Sequence, residues 1–335
     1  MNPSGYNVIG VDLGGTNIVS LLVNREGKII SKDKRETLAK EGKEKTINQL
    51  VNSVKTVIKE GEKRGTTFES ILGLGIGAPG PLNIKKGVVY LAPHLPDWRN
   101  VHLTKILRGK LELSVFLEND ANAAALGEWW KGAGRNIDNL VLLTLGTGIG
   151  GGIIINGEVL HGSCDIAGEI GHIIIHEEGL PCSCGSRGCL EAYASATGVV
   201  RRTIAALKEG RKSILIDWVS GNLEKINCEL VYQAAKENDK LSQWIIEETA
   251  RYLGIGITNI VNILNPEMVI LSGGMSQAGD LILKPVRKYA KRYALKPAIE
   301  RVKIVQGSLL EDAGAIGAAI TVLKRKNLVV WYDVK

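Results

Sequence analysis

Apolar and polar residues form three short blocks at the start of the chain. The blocks NVIGVDL, NIVSLLV and GKIISKDKR are separated by the turn sequences GGT and NREG. Short apolar runs bounded by Gly and Asn turns are typical of strands, so the pattern predicts a three-stranded meander. Residues 44–64 carry the period of an amphipathic helix, with apolar positions at Ile47, Leu50, Val51, Val54, Val57 and Ile58. The block ILGLGIGAPGP (71–81) predicts a buried strand that runs into a Gly/Pro loop.

A second region repeats the opening pattern. The segment VDLGGTNIVSLLVNREGKII, from Val11, resembles LTLGTGIGGGIIINGEVL, from Leu143. Each segment indicates a strand, a glycine-rich turn, an apolar strand, an Asn/Gly turn and a third strand. The copies start 132 positions apart, which is too far for a solenoid repeat and favours two similar domains.

The glycine-rich tips of these two hairpins are candidate phosphate-binding turns. Glycine lets backbone N–H groups approach phosphate oxygens because no Cβ is in the way. Tight hairpin turns would explain the glycines equally well. The matched copies, and the carboxylate of Asp12 just before the first turn, favour nucleotide binding across a cleft.

Polar residues mark the start of a predicted helix in LENDANAAALGEWW (117–130). Asn119 and Asp120 stand at its beginning, where Asn and Asp are common N-caps. Capping alone does not require Glu118, Asn119 and Asp120 together. A carboxylate at this point could instead accept the proton of a hydroxyl that attacks phosphorus.

Two later segments predict a ligand-binding strand end and a closely packed helix. NPEMVILSGGMS (265–276) predicts a turn, a buried strand and a glycine pair at the strand's carboxyl end, where ligands of α/β folds bind. EDAGAIGAAITVLKRK (311–326) predicts a helix whose small residues allow close packing or a hinge.

Three of the five cysteines crowd into PCSCGSRGCLE (181–191) as Cys182, Cys184 and Cys189. Structural zinc sites take four tetrahedral Cys and His ligands, so the cluster predicts a Cys₃His site. His172, ten residues upstream, is the best fourth ligand and His176 is the alternative. The C-x-C spacing is tighter than in most zinc fingers, which leaves buried free thiols or a redox pair open.

Glu169 and His172 lie three residues apart in DIAGEIGHIII (165–175). On a helical turn they would share a face, and in an irregular loop both could point into a cavity.

Composition places the chain among ordinary globular proteins. Its 335 residues are 44% hydrophobic and 23% charged, which suits two domains. The excess of 42 Lys and Arg over 35 Asp and Glu lies largely in KPVRKYAKRY (284–293) and KRK (324–326). We interpret these as solvated helix surface rather than a nucleic-acid site, because no DNA-reading motif accompanies them.

The N-terminal sequence and the apolar runs indicate where in the cell the protein is expected. The start MNPSGYNVIGVD lacks the pattern of a secretory signal, and no apolar run reaches the ~20 residues of a membrane span. We therefore expect a cytoplasmic protein that neither spans a membrane nor binds nucleic acid. In a reducing compartment, an odd number of cysteines argues against a disulfide framework.

Seven motifs follow one another over nearly the whole chain: VDLGGTN, GAPGPLN, NDANAAALGEWW, LGTGIGGG, GEIGH, CSCGSRGCLEAYAS and NPEMVILSGG. In this order they resemble the motifs of the ROK family (repressor, open reading frame, kinase), and most closely those of its ATP-dependent glucokinase branch. The resemblance implies an α/β fold, the actin-like ATPase (ribonuclease H-like) fold, with duplicated domains and an interdomain cleft. It implies a small domain over residues 1–118, completed by a returning C-terminal helix at 312–335. The large domain would cover 119–311, with the sugar site, the zinc loop and the second phosphate and adenosine loops.

The resemblance also implies an activity and its residues. The activity is ATP-dependent phosphorylation of the 6-hydroxyl of a hexose, first of all glucose, with Mg²⁺ as cofactor and a structural Zn²⁺. Asp120 is the implied general base, and the implied sugar ligands are Asn119, Asp120, Glu169, His172 and Glu191. The implied nucleotide-binding residues are Asp12, Gly14, Gly15, Thr16 and Asn17 in the first turn, with Asp12 near Mg²⁺; Thr144, Gly146, Thr147 and Gly148 in the second; and Gly273 and Gly274 in the adenosine loop. The implied zinc ligands are His172, Cys182, Cys184 and Cys189.

One position departs from the family pattern. PHLPDW has His94 where many members have Asn. This affects any sugar contact from the loop with Asn83, His94 and Asn100, so N-acetylglucosamine, N-acetylmannosamine, mannose and fructose stay open as substrates.

Alternatives also exist for the phosphoryl donor, for the choice between enzyme and repressor, and for the oligomeric state. Polyphosphate or ADP could replace ATP, but DLGGTN and LGTGIGGG contain no basic residue, which favours ATP. The family also includes sugar-responsive repressors with an N-terminal winged-helix domain. Eleven residues precede Asp12, so we expect an enzyme rather than a repressor. The resemblance suggests a homodimer, with a tetramer as the alternative.

Overall fold

The computed structural model describes residues 5–328. Both strands and helices occur along these residues. The strands are β1 (Asn7–Leu13), β2 (Asn17–Asn24), β3 (Ile29–Glu36), β4 (Ile71–Ala78), β5 (Leu82–Asn83), β6 (Val88–Leu91), β7 (Arg99–Val101), β8 (Val115–Asn119), β9 (Leu140–Leu145), β10 (Ile149–Ile155), β11 (Glu158–Val159), β12 (Met268–Ser272) and β13 (Lys303–Gln306).

The helices range from one turn to seven. They are α1 (Lys43–Glu62), α2 (Leu103–Leu111), α3 (Asp120–Lys131), α4 (Leu190–Ala194), α5 (Ala196–Lys208), α6 (Leu215–Trp218), α7 (Cys228–Lys236), α8 (Lys240–Leu264), α9 (Asp280–Tyr293), α10 (Lys296–Ile299) and α11 (Ala313–Arg325). The amphipathic helix predicted over residues 44–64 is α1, and the helices predicted within 117–130 and 311–326 are α3 and α11.

Two five-stranded sheets share one strand order. The first runs β3–β2–β1–β4–β8 and the second β11–β10–β9–β12–β13. In the first, β1, β2 and β3 form the predicted antiparallel meander, and β4 lies parallel to both β1 and β8. In the second, β11 pairs antiparallel with β10, and β12 lies parallel to β9 and β13. The internal repeat predicted from the sequence is thereby confirmed. A small third sheet, β5–β6–β7, was not predicted.

The described residues divide by their contacts into two compact units. The first comprises residues 5–138, 152–168 and 308–328, and the second comprises 139–151 and 169–307. The domain limits inferred from the family resemblance, 1–118 with 312–335 and 119–311, stay predictions. Residues 329–335 of the expected C-terminal helix lie outside the described part.

Helix α11 forms the centre of the first unit. It packs against β1, β4 and α3, and all of its residues from Ala313 to Leu323 are buried. A Cβ added to Gly317 would overlap the carbonyl of Ala123, and one on Gly75 would overlap the carbonyl of Ala318. The small residues noted in the sequence therefore serve close packing in this structure.

Helix α8 is the longest helix of the second unit. Its 25 residues pack against α4, α5, α7 and α9. Asp239 caps its start, since the carboxylate accepts the backbone N–H of Ser242 at 2.8 Å. Among residues 5–328, no helix combines the length and the apolar content needed to cross a membrane.

Candidate functional site

The carboxyl ends of three strands meet at one edge of the first sheet. Asp12 of β1 is paired with Gly77 of β4, and Gly77 is paired with Glu118 of β8. Asn119 and Asp120 follow directly, at the end of β8 and the start of α3. Because these strands are parallel, the sheet brings Asp12 and the Asn119–Asp120 pair to the edge where α/β folds bind ligands.

Asn119 is the N-cap of α3. Its Oδ1 accepts the backbone N–H groups of Ala121 at 2.9 Å and Asn122 at 3.1 Å, so the capping role considered from the sequence is real. Capping engages the acceptor of this amide, so its NH₂ group is what it can offer a ligand. Asp120 is the first helical residue, and its Oδ1 accepts the N–H of Ala121 at 2.8 Å.

The two carboxylates at this edge influence each other. Burial, followed by the negative charge of Asp120, raises the pKa of Asp12 from its usual 3.8 to about 7. Two carboxylates this close repel unless a cation or a proton lies near them. Mg²⁺ is commonly held by one or two carboxylates together with substrate phosphates, so these residues fit the cation that the family resemblance implies.

The first glycine-rich turn is held by a residue outside it. The backbone N–H of Gly14 donates to the carbonyl of Asn17 at 3.0 Å, which closes the turn. Thr37 then binds it twice: its hydroxyl donates to the carbonyl of Gly14 at 2.7 Å, and its N–H to the carbonyl of Thr16 at 2.8 Å. Thr37 is buried whereas Thr16 and Asn17 are exposed. The turn is thus anchored on one side and open on the other.

His94, which departs from the family pattern, packs against this turn. A Cβ on Gly15 would lie 2.7 Å from the Cβ of His94. The departure is therefore adjacent to the predicted phosphate-binding residues of the first unit.

The second glycine-rich turn, in the second unit, is anchored by the start of α5. The N–H of Ala196 donates to the carbonyl of Gly146 at 2.9 Å, and the hydroxyl of Thr197 donates to the carbonyl of Thr147 at 2.8 Å. The hydroxyl of Thr144 accepts the N–H of Gly150 at 3.1 Å. Both predicted phosphate turns are thus fixed by threonine hydroxyls from elsewhere in their units.

The glycine pair after β12 lies at the same sheet edge as the second turn. Ser272 is paired with Thr144 in the parallel register of β12 and β9. Gly273 has φ +84°, and a Cβ there would lie 2.6 Å from the carbonyl oxygen of Leu145. Glycine is therefore required at this position both by conformation and by space.

A largely apolar cavity of about 720 Å³ adjoins the second turn at Thr147. Side chains of α5, including Val200 and Ile204, contribute most of its wall, together with Ile226 just before α7 and the first residues of α7. Apolar cavities of this size are typical of small-molecule sites.

Glu191 is bound to the second turn. Its Oε2 accepts the backbone N–H of Ile149 at 2.9 Å, and its Oε1 accepts the hydroxyl of Ser183 at 3.2 Å. A Cβ added to Gly148 would overlap Oε2. The structure thus brings one predicted sugar ligand into contact with a predicted phosphate turn.

Glu169 and His172 lie on a short 3₁₀ turn, Ile170–His172, which Glu169 immediately precedes. The N–H of His172 donates to the carbonyl of Glu169 at 3.0 Å. Glu169 is exposed and His172 is half-buried. The structure therefore places them on a helical turn, which is the first of the two arrangements considered from the sequence.

His172 and three cysteines form a compact cluster in the second unit. One ligand atom from each of His172, Cys182, Cys184 and Cys189 lies within 4.8 Å of all the others. Nδ1 of His172 is 3.6 Å from Sγ of Cys182, and Sγ of Cys184 is 3.7 Å from Sγ of Cys189. Tetrahedral zinc with Zn–S bonds of about 2.3 Å separates its sulfurs by about 3.8 Å. Donor set and spacing both fit zinc, and His176, the alternative ligand, is not in the cluster.

The cysteine segment is a small hairpin that presents the thiols to one another. The N–H of Cys182 donates to the carbonyl of Ser186 at 2.8 Å, and Gly185 and Gly188 adopt φ of +91° and +74°. Burial and the two neighbouring thiols raise the pKa of Cys189 to about 12. A divalent cation would offset the repulsion that the three thiolates would otherwise feel.

A model of the ROK family matches residues 8–325 of the chain. The chain belongs to the ROK family. It is 40% identical to a glucokinase of Thermotoga maritima over 95% of this chain and 98% of that protein. A xylose repressor of Caldicellulosiruptor bescii is 36% identical over 96% of this chain and 79% of the repressor. The crystal structure of a ROK glucokinase from Streptomyces griseus, in complex with glucose and AMPPNP, has a TM-score of 0.80 at 34% identity and covers 94% of this chain and 98% of that one.

Family membership confirms the fold predicted from the motifs. This ROK protein has the actin-like ATPase fold, and its two sheets share one strand order. Sequence reasoning did not find Thr37, which anchors the first turn, or the contact between Glu191 and Gly148. Thr37 contacts a turn about twenty residues before it, and Glu191 contacts a turn about forty residues before it. No pattern in the neighbouring sequence indicates either contact.

Proposed function

We propose that this ROK-family protein is a sugar kinase that transfers the γ-phosphoryl group of ATP to the 6-hydroxyl of a hexose, with glucose as the first candidate. The observation that carries the proposal is the match to glucokinases over nearly the full length of both chains. The glucokinase crystallised with glucose and AMPPNP supports ATP as the donor.

Asp120 is the proposed general base. Phosphoryl transfer depends on positioning and charge stabilisation more than on covalent chemistry. The base must hold one oxygen ready for the hydroxyl proton, and the bond from Ala121 to Oδ1 of Asp120 limits rotation of the carboxylate. In the same unit we assign Asn119 as a sugar ligand, through its NH₂ group.

Further sugar contacts are assigned to Glu169, His172 and Glu191 of the second unit. Carboxylate and imidazole groups can replace the water that hydrogen-bonds ring hydroxyls, and a site built for such bonds discriminates against sugars that lack them. The bonds from Ile149 and Ser183 already fix the carboxylate of Glu191, so little ordering remains when a ligand binds.

The glycine turns are the proposed phosphate-binding elements. We assign Gly14, Gly15, Thr16 and Asn17 to the first turn, and Thr144, Gly146, Thr147 and Gly148 to the second. Gly273 and Gly274 are assigned to the adenosine, and the apolar cavity beside Thr147 offers a place for the base. Asp12 would hold Mg²⁺, which supplies charge neutralisation for the transferred phosphoryl group.

The cysteine cluster is the proposed structural zinc site. Nδ1 of His172 faces Cys182, which leaves Nε2 on the opposite edge of the ring. Coordination through one nitrogen fixes the ring and the tautomer of the other. Zinc would in this way orient His172 toward the sugar while it stiffens the segment that leads to Glu191.

We also propose the identity of the hexose, the oligomeric state and the cellular location. His94 beside the first turn leaves other hexoses as alternatives to glucose. A homodimer and a cytoplasmic location are proposed from the family resemblance and from the sequence.

Initial rates over a panel of hexoses and phosphoryl donors test the proposed function. The panel holds glucose, mannose, fructose, N-acetylglucosamine and N-acetylmannosamine, each with Mg²⁺ and ATP, ADP or polyphosphate. We expect the highest kcat/KM with glucose and ATP. If none of these sugars is phosphorylated, the proposal is refuted. If another combination of hexose and donor gives a higher kcat/KM, that combination replaces glucose and ATP as the proposed substrates.

A further inference from the structure

The carboxylate of Glu118 is almost fully buried, directly before the proposed base. Its side chain is 2% exposed at the end of β8. A buried carboxylate costs free energy unless it is hydrogen-bonded and its charge is balanced. The groups around Glu118 therefore indicate what its carboxylate does there.

Two of these groups belong to the segment that carries Asp120. Oε1 of Glu118 accepts the backbone N–H of Asn119 at 3.0 Å and the side-chain Nδ2 of Asn122 at 3.2 Å. One donor lies on each side of Asp120 in the sequence. The Glu118 carboxylate thus fixes the backbone from the end of β8 through the first turn of α3.

The third group is His161, from the loop that follows β11. Its Nε2 lies 3.1 and 3.0 Å from the two carboxylate oxygens of Glu118. The loop is itself restrained, because the N–H of Ala167 donates to the carbonyl of His161 at 3.1 Å. Asp165 of the same loop accepts the N–H of Ile84 at 3.1 Å. The backbone that carries the imidazole is therefore held in place independently of Glu118.

We propose that Glu118 and His161 are a positioning pair for Asn119 and Asp120, an inference that rests on the proposed function. The imidazolium balances the charge of the buried carboxylate, and the carboxylate holds the backbone that orients the base. The pair acts through Asp120 and need not touch the substrate. Weakening it lowers turnover more than it lowers ATP affinity, because small displacements of reacting groups are costly.

The surroundings of His161 favour its charged form. Burial lowers the pKa of the imidazole, but the hydrogen bond and charge of Glu118, together with the charge of Asp165, outweigh this and raise it above 6.5, while Arg325 acts in the opposite direction. A cavity of about 510 Å³ in the first unit reaches the pair. The charged side chains that line it are Lys85, Glu118, Glu158, Asp165, Lys324 and Arg325.

These surroundings predict a pH dependence of turnover. As pH rises through the pKa of His161, the imidazole loses its charge but still donates one hydrogen bond. The pair is then weakened rather than broken. We expect kcat to fall to a lower plateau on the alkaline side.

The variant His161→Gln tests the pair, with His102→Gln as the matched control. Gln retains a hydrogen-bond donor but cannot carry the charge, and His102 is exposed at the start of α2. We expect kcat for the hexose to fall by at least about 10-fold in His161→Gln, with the KM for ATP within about twofold. The alkaline decrease should disappear. The control should follow the wild type, and an unchanged kcat and pH profile in His161→Gln would overturn the proposal.

Two measurements that need no turnover separate this inference from the proposed function. Histidine NMR should show a lower pKa for His161 in Glu118→Gln than in the wild type, because burial lowers this pKa and the hydrogen bond and charge of Glu118 no longer offset it. Amide exchange at Asn119 should be faster in both Glu118→Gln and His161→Gln than in the wild type. If the wild type phosphorylates no hexose, these two results still decide whether the pair holds the segment. An unchanged His161 pKa and unchanged exchange would overturn it.

Discussion

The carboxylate of Glu191 lies directly against the backbone of Gly148. Its Oε2 accepts the N–H of the next residue, Ile149, at 2.9 Å, and a Cβ on Gly148 would overlap that oxygen. One contact therefore links a proposed sugar ligand to a proposed phosphate turn within the second unit. A substitution in this turn should therefore change the affinity for the sugar.

Gly148→Ala should weaken sugar binding. The added methyl group displaces the carboxylate and breaks its bond from Ile149, and a hydrogen bond to a charged group contributes about 1.5–3 kcal/mol. We expect the Kd for glucose, measured by calorimetry, to rise by about 10-fold or more. Gly109→Ala is the control, because a Cβ there meets nothing within 4 Å. Glucose binding unchanged in Gly148→Ala would show that Glu191 does not contact the sugar.

Cys189→Ser should remove the metal. The thiol is fully buried in the cluster, and loss of one of four ligands sharply lowers zinc affinity. Elemental analysis should find about one zinc per chain in the wild type and almost none in the variant, whose unfolding midpoint should drop by several degrees. The control Cys164→Ser changes an exposed cysteine outside the cluster, and it should keep the zinc content and the unfolding midpoint of the wild type. A wild-type protein purified without chelator that contains no metal would refute the zinc site.

The raised pKa of Asp12 predicts a stability change with pH. Between pH 3.8 and about 7 the folded chain keeps a proton on Asp12 that the unfolded chain has lost. Folding stability from this residue therefore decreases as pH rises through that window, and the loss is complete above about pH 7.

Asp12→Asn removes this loss. Without Mg²⁺ or nucleotide, the variant should be more stable than the wild type by about 4 kcal/mol at pH 8 and equal to it near pH 4. Urea unfolding at the two pH values measures the difference. Asp97→Asn, at an exposed aspartate, serves as the control. A variant that is less stable at pH 8 would show that Asp12 is ionised and favourably paired in the free protein.

Features with a local signal were predictable from the sequence. The apolar period over residues 44–64 predicted the helix found at Lys43–Glu62, and the Asn119–Asp120 pair predicted a helix start, where Asn119 is now the N-cap. Periodicity and capping depend on neighbours a few residues away, so both can be recognised without tertiary structure. The internal repeat likewise predicted the strands β1, β2 and β3 and their counterparts β9, β10 and β11.

Features that depend on distant contacts could not be predicted. Glu118 and His161 lie 43 residues apart, and nothing in either local sequence indicates the other. The strands of the third sheet have two, four and three residues, which is too short for alternation to be visible. For the metal site, the sequence supplied the four donors, but only the hairpin conformation shows that they converge.

The direct test of the central claim is phosphorylation of glucose by the wild type and by Asp120→Asn, followed side by side by ³¹P NMR with Mg²⁺ and ATP. We predict that glucose 6-phosphate and ADP accumulate together in the wild type and in the control Asp217→Asn, whose aspartate is exposed. In Asp120→Asn the rate should be lower by at least about 100-fold, as expected for loss of a general base, while glucose binding persists. An Asp120→Asn enzyme that turns over at the wild-type rate, or a wild type that forms no sugar phosphate, would contradict the account.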